Sequence, residues 1–275
     1  MEGKVSRLGS RADPALASRL RDRPEQPARL DRTGSRDHIA TRLERPPWAR
    51  LPRMKFPIPR LYAIIDPVQT GGLSSVDVAD VLLAAGVRLI QYRDKRSTSR
   101  ELFETGGQIA ERVRRATGVF IVNDRADVAL ALDADGVHVG QEDLPVELAR
   151  RVLESGGQAD KLVGCSTHGL DQVREADESS ADYIAFGPIF ATRSKEQPGP
   201  VVGLDGLREA RKATRKPLVA IGGITVENAR AVLDVGADSV AVIRDLLGNP
   251  YIGRRAREFL SILGEYLRVG NRESG

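Results

Sequence analysis

The sequence predicts one α/β domain folded as a (β/α)8 (TIM) barrel. From Leu61 onward, short apolar runs alternate with amphipathic stretches of helical period. Eight such pairs fill roughly 215 residues, each run followed by one helix, which fits a closed barrel better than an open doubly wound sheet. Polar and glycine-rich residues come directly after the runs, at the rim where barrels carry their chemistry.

The strand candidates are Leu61–Ile65, Leu89–Tyr92, Phe120–Val122, Gly136–Val139, Leu162–Ser166, Tyr183–Phe186, Leu218–Ile221 and Ser239–Ile243. Each is an apolar run too short to be a helix. Helical periodicity places the intervening elements near 75–85, 99–116, 125–132, 145–154, 169–176, 204–213, 226–235 and 251–267. Together they define a catalytic domain over 54–275.

Residues 1–53 are rich in Arg and Pro and contain Trp48 as their one large aromatic. Such a stretch cannot offset its ordering entropy by burial, so it is expected to be disordered. Three origins compete: a start codon assigned too far upstream, a disordered tail, or a basic arm or transit peptide. Met54, the one internal methionine, favours the first, and the acidic residues of the segment argue against a transit peptide.

The chain's net charge of +4 resides in this extension, which holds 13 Lys+Arg and 7 Asp+Glu. From residue 54 onward 29 basic residues face 31 acidic ones, so the domain lacks the positive surface of a nucleic-acid binder. No apolar run is long enough to span a bilayer. A single cysteine, Cys165, forms no internal disulfide and fits a cytoplasmic location. Small-molecule substrates are the expected partners, with neither nucleic acid nor membrane; the sequence is compatible with a homo-oligomer and does not specify one.

Five clusters carry the chemistry. After the second strand, Gln91-Tyr92-Arg93-Asp94-Lys95 sends Gln91, Arg93 and Lys95 to one side, a set suited to a polyanion. The competing reading is a solvated strand end whose cations pair with Asp94. Asn123-Asp124 ends the third strand, and Gly140-Gln141-Glu142-Asp143 ends the fourth. Asp124 and Asp143 thus offer two hard carboxylates on neighbouring loops, as Mg²⁺ sites do, or else two helix N-caps. The long loop from Gly187 through Thr192, Arg193, Ser194 and Lys195 to Pro200 is a candidate lid, or a plain exposed insertion. Gly222-Gly223-Ile224 and Ile243-Arg244 follow the seventh and eighth strands, the common phosphate site of this fold.

Other residues invite blander readings. Cys165 sits within an apolar strand and is expected to pack. His138 is expected inside the barrel as a hydrogen-bonded structural imidazole, while His168, on the rim, is open to a binding or acid–base role. No nucleophile triad is assembled.

In order, QYRDK, ND, GQED, GCSTH, GPIFATRSK, AIGGIT and AVIR resemble the signature series of the thiamine-phosphate synthase family across residues 60–266. The resemblance implies transfer of an aminopyrimidine-methyl group from its diphosphate to the ring nitrogen of a hydroxyethylthiazole phosphate, by a dissociative, Mg²⁺-assisted substitution. It assigns Gln91, Arg93, Lys95, Asn123 and Lys195, with Tyr92 and Asp94 beside them, to the pyrimidine diphosphate. It assigns Asp124 and Asp143 to Mg²⁺, Ser166 to the pyrimidine, and Thr192, Ser194, Gly223, Ile243 and Arg244 to the thiazole phosphate, with Arg193 a further substrate-binding residue of the same loop. Arg93, Lys95, Lys195 and Ser166 are the implied catalytic group. Ser194 replaces a common Thr and Arg244 a common Ser, and Glu154–Lys161 lengthens the fourth unit. A related thiazole tautomerase, which needs no paired metal site, and a non-catalytic phosphate-binding barrel are the alternatives.

Overall fold

The computed structural model describes residues 57–192 and 199–265. The extension 1–53 and the loop residues Arg193, Ser194 and Lys195 lie outside them. Eight parallel strands close in sequence order, with β1 (Leu61–Ile65) pairing both β2 (Leu89–Tyr92) and β8 (Ser239–Val242). Between these run β3 (Val119–Asn123), β4 (Gly136–Val139), β5 (Leu162–Thr167), β6 (Tyr183–Phe186) and β7 (Leu218–Ile221). Five of the eight strands start and end where the apolar runs do. The closed barrel, not the open sheet, is the arrangement formed.

Seven helices stand near the positions the periodicity gave: α1 (Ser75–Ala85), α2 (Ser99–Arg115), α3 (Ala126–Ala131), α4 (Val146–Ser155), α5 (Leu170–Glu178), α6 (Gly203–Ala213) and α7 (Val226–Asp234). Local chemistry sets several ends. Thr98 and Glu101 close a capping box at the start of α2, and Gly86, at φ +108°, ends α1 in the left-handed conformation. The eighth unit departs from expectation. A short α8 (Arg244–Leu247) precedes α9 (Ile252–Ile262), where one helix over 251–267 was expected. Pro250 lacks an N–H and the Asn249 side chain accepts from Tyr251 N, which breaks the chain into two helices. Gly264, at φ +74°, turns the chain just past α9.

Strand alternation sorts the apolar residues into two cores. Tyr62, Ile64, Leu89, Ile121, Tyr183, Ala185, Val219 and Ala241 fill the barrel interior, and the opposite strand faces pack on the helices. Gly164 belongs to the inner set: a Cβ there would lie 2.0 Å from the Tyr183 ring. Gly164→Ala is therefore expected to destabilise the barrel by about 1–3 kcal/mol through overpacking. Urea unfolding measures this, and an unchanged midpoint would refute it.

The N-terminal face is tied by a device repeated in three units. Ala134-Asp135, Ala181-Asp182 and Ala237-Asp238 each precede an even-numbered strand, and each carboxylate accepts the backbone N–H of Phe120, Val163 or Leu218 on the preceding strand. Each of these three aspartates also donates its own N–H to that residue's carbonyl. The lengthened segment Glu154–Lys161 belongs to this face. Its carbonyls at Ala159 and Lys161 accept from Arg150, which is buried and ion-paired with Asp182. The insertion thus supplies two acceptors to a buried guanidinium.

Candidate active site

The site is built on the C-terminal rim, and its floor is polar. Gln91, Tyr62, Tyr183, His138 and Ser166 come from five strands, yet alternation turns all of them inward. Gln91 Nε2 donates to Tyr62 Oη at 2.7 Å, and the two tyrosine hydroxyls meet at 2.9 Å. His138 joins them through Nδ1, 3.1 Å from Tyr183 Oη, and through Nε2, 2.9 Å from Ser166 Oγ. His138 is thus the hydrogen-bonded interior imidazole the sequence suggested. Gln91 is buried in the floor and not in the open mouth.

Above the floor stand the cations. Arg93 and Lys95 do emerge on one side of β2, but Arg93 does not pair with Asp94. Its partner is Asp66, the buried residue that follows β1. Asp66 uses one oxygen for Arg93 and the other to accept from Val68 N, capping a 3-10 turn over Pro67–Gln69. The guanidinium is thereby fixed at the mouth. Tyr92 and Asp94 point away from it. Tyr92 packs outward near α2 and donates to Asp94 at 3.0 Å. Burial raises the Asp94 pKa, but donors from Ser97, Arg96 N and Tyr92 outweigh it and hold the carboxyl below its ordinary value. These two residues shape the β2–α2 turn instead of lining the mouth.

Neither candidate metal ligand is a helix cap. Arg125 holds the N-cap position of α3 and Pro145 that of α4, both without side-chain capping bonds. Asp124 instead adopts a left-handed φ of +63°, with its N–H given to His138 O, and its carboxylate lies 3.0 Å from Lys95 Nζ. Asp143 folds back so that its Oδ2 accepts from Gly140 N at 2.8 Å. A Cβ at residue 140 would meet that oxygen at 2.8 Å, so glycine permits the approach.

The two carboxyls reach hydrogen-bonding contact with each other. Burial and then Asp143 raise the pKa of Asp124 against the pull of Lys95. Asp143 is also raised by burial, but the contact with Asp124 and the Gly140 N–H bring it below its ordinary value. Carboxylates meet this way only with a proton or a cation between them. Among the described residues no group of three or more His, Cys, Asp or Glu is placed to hold a metal. A pair of carboxylates suits Mg²⁺, which fills its remaining positions with water and substrate phosphate.

The far side of the mouth is stitched from two loops. Ile189 N and Phe190 N donate to Ile221 O and Gly222 O, tying the loop after β6 to the loop after β7. Gly222 and Gly223 have φ of +99° and +65°, and a Cβ at 223 would lie 2.6 Å from Ala191 O. Only glycine fits both positions. Next to them Ile243 leads into α8, whose Asp245 accepts from Val226 N and pairs with Arg255. Arg244 is exposed, with no side-chain partner among the described residues. Thr192 ends the described part of the β6 loop. Asn123 and Ser166 are half-buried at the tips of β3 and near the end of β5.

His168 Nδ1 lies 2.6 Å from Gly187 O and so donates to it, which ties the ring to the strand-six loop. Burial pushes the Cys165 thiol up to about 11, the state of a packed, unreactive cysteine. Sequence reasoning missed Asp66, Tyr62 and Tyr183. Asp66 follows its apolar run as Asp124 and Asp143 follow theirs. Strand parity is the signal that could have found the tyrosines, since it turns them to the same side as their inward neighbours. No described helix is long and apolar enough to cross a membrane.

Comparison with known proteins points to one family. A family model described as thiamine monophosphate synthase matches residues 61–246. The chain is 50% identical over 210 residues to the thiamine-phosphate synthase of Koribacter versatilis (strain Ellin345), covering 75% of this chain and 96% of that one. It is 41% identical to the thiamine-phosphate synthase of Chloroflexus aurantiacus, covering 74% and 92%. Among solved structures, the thiamine phosphate pyrophosphorylase from Pyrococcus furiosus superposes with a TM-score of 0.68 at 36% identity, covering 76% of this chain and 96% of that one.

Proposed function

From the chain's membership of the thiamine monophosphate synthase family, we propose how its residues divide the work of a transferase that joins an aminopyrimidine-methyl diphosphate to a hydroxyethylthiazole phosphate, releasing pyrophosphate. The observation that carries the reading is the meeting of Arg93, Lys95, Asp124 and Asp143 on one rim. Cations and paired carboxylates are what a departing diphosphate requires, and no protein base is needed when the carbon–oxygen bond breaks first.

Asp124 and Asp143 would hold Mg²⁺, which supplies charge neutralisation to the leaving diphosphate. Arg93, pinned by Asp66, presents a fixed fork to phosphate oxygens, and Lys95 a mobile point charge. Lys195, from the β6 loop, is assigned a third cation over the same group, beside Arg193. Asn123 and Ser166, with Gln91 beneath, orient the pyrimidine ring. Gly223, Ile243 and Arg244, with Thr192 and Ser194, take the thiazole phosphate on the far side, so the two rings face each other across the mouth. The exposed Arg244 can add a guanidinium to backbone N–H donors there. Tyr92 and Asp94, which face outward, serve the site by shaping its turn.

The full-length protein, given both substrates and Mg²⁺, is expected to form thiamine phosphate and pyrophosphate, and to lose that activity with EDTA and regain it with added Mg²⁺. Product formation that persists in EDTA would overturn the metal assignment. Absence of product with Mg²⁺ would overturn the reaction.

A further inference from the structure

The polar floor forms a chain whose direction is set at one end. Gln91 presents its amide nitrogen to Tyr62, and that nitrogen has no lone pair to give. The one hydroxyl hydrogen of Tyr62 therefore goes to Tyr183 Oη, 2.9 Å away. Tyr183, accepting there, gives its own hydrogen to His138 Nδ1. In the neutral ring Nδ1 is then the lone-pair nitrogen, which puts the ring proton on Nε2, aimed at Ser166 Oγ. Ser166 accepts from below and keeps its hydrogen for an atom above it.

We propose that Tyr62 and Tyr183 are positioning residues that lock His138 as the Nε2–H tautomer, and thereby make Ser166 a hydrogen-bond donor selecting a ring substrate with an acceptor atom at that point. Burial raises both phenols well above their ordinary pKa, so each remains a neutral donor. Gly164 belongs to the same device, since only a residue without Cβ leaves room for the Tyr183 ring beneath His138. A floor of opposite polarity would present Ser166 as an acceptor and favour a ligand N–H. A site built to hydrogen-bond one partner discriminates strongly against the other, because the mismatch leaves buried groups unpaired. The inference about selectivity rests on the aminopyrimidine reading above; the tautomer does not.

Three histidines, His38, His138 and His168, make the test tractable by ¹⁵N NMR of the histidine-labelled full chain, with assignments from His38→Gln and His168→Gln. The wild-type spectrum should place the proton of His138 on Nε2 and that of His168 on Nδ1, an internal reference of opposite sense. In Tyr183→Phe, and to a lesser degree in Tyr62→Phe, the His138 proton should redistribute between the nitrogens. The kcat/KM for the pyrimidine diphosphate should fall about tenfold, with KM for the thiazole phosphate and the circular dichroism unchanged. An Nδ1–H wild-type ring, or an Nε2–H ring that persists in both variants, would overturn the proposal. So would full kcat/KM in a variant whose tautomer has shifted. A wild-type protein that forms no thiamine phosphate would sink the functional reading alone, since the spectra still decide the chain.

Discussion

Asp124→Asn is expected to lower kcat by about a hundredfold, the loss of roughly 3 kcal/mol of charge stabilisation at the leaving diphosphate. The substitution is a clean one. Asparagine tolerates the left-handed backbone that residue 124 adopts at φ +63°, and no helix depends on this side chain for its cap. What changes is the charge available to a cation and to Lys95. The stability effect should run the other way. Asp124 has a raised pKa, so its ionised form opposes folding: the stability it lends is present below the unfolded pKa and is lost as pH rises through the folded one. At neutral pH without Mg²⁺ the variant should therefore unfold at the same temperature as the wild type, or higher. Steady-state kinetics and thermal melts read the two effects separately. A variant of wild-type rate would remove Asp124 from the site; a slow variant that melts well below wild type would reassign it to the fold.

Arg150→Met is the second large expectation, and it concerns the opposite face. Arg150 and Asp182 have side chains 1% and 3% exposed, and the guanidinium also binds the carbonyls of Ala159, Lys161 and Ser180. Removing the cation takes the guanidinium away from a buried carboxylate, a loss of about 3–5 kcal/mol. For a domain of this size the unfolding midpoint should fall by roughly 10 °C. The double variant Arg150→Met, Asp182→Asn should recover part of this, because the buried negative charge is gone and the amide oxygen can still accept from Val163 N. Urea unfolding of the three proteins decides the matter. Since the pair lies at the N-terminal face, away from the rim, folded Arg150→Met should retain its kcat. A single variant as stable as wild type would show that the pair contributes nothing.

Both expectations turn on where each residue stands along its unit, and this is where sequence reading was strong. Strand starts and ends at β1, β2, β4, β6 and β7 follow directly from apolar runs bounded by polar residues. Placing carboxylates and cations just after those runs put Arg93, Lys95, Asp124 and Asp143 on one rim, where the structure has them. Reading was weaker where partners come from different units. Asp94 looked like the partner of Arg93 because it is adjacent in sequence, but adjacent strand residues face opposite ways, and Asp66 from β1 takes the cation. The Ala-Asp pairs before β4, β6 and β8 went unread in the sequence, because their function, an N–H bond to the neighbouring strand, appears only once the strands are side by side.

The sequence by itself determined the eight-unit barrel, the rim that carries the chemistry, and the residue types suited to a diphosphate. These depend on period and spacing, which are local properties of the chain. Only the tertiary structure decided which charges pair, that neither candidate metal-ligand aspartate is a cap, and that Gln91, Tyr62, Tyr183, His138 and Ser166 form one chain through five strands. Those facts depend on the register in which a closed sheet brings distant strands together. A hydrogen bond spanning 121 positions of sequence, as between Tyr62 and Tyr183, leaves no trace in the chain read end to end.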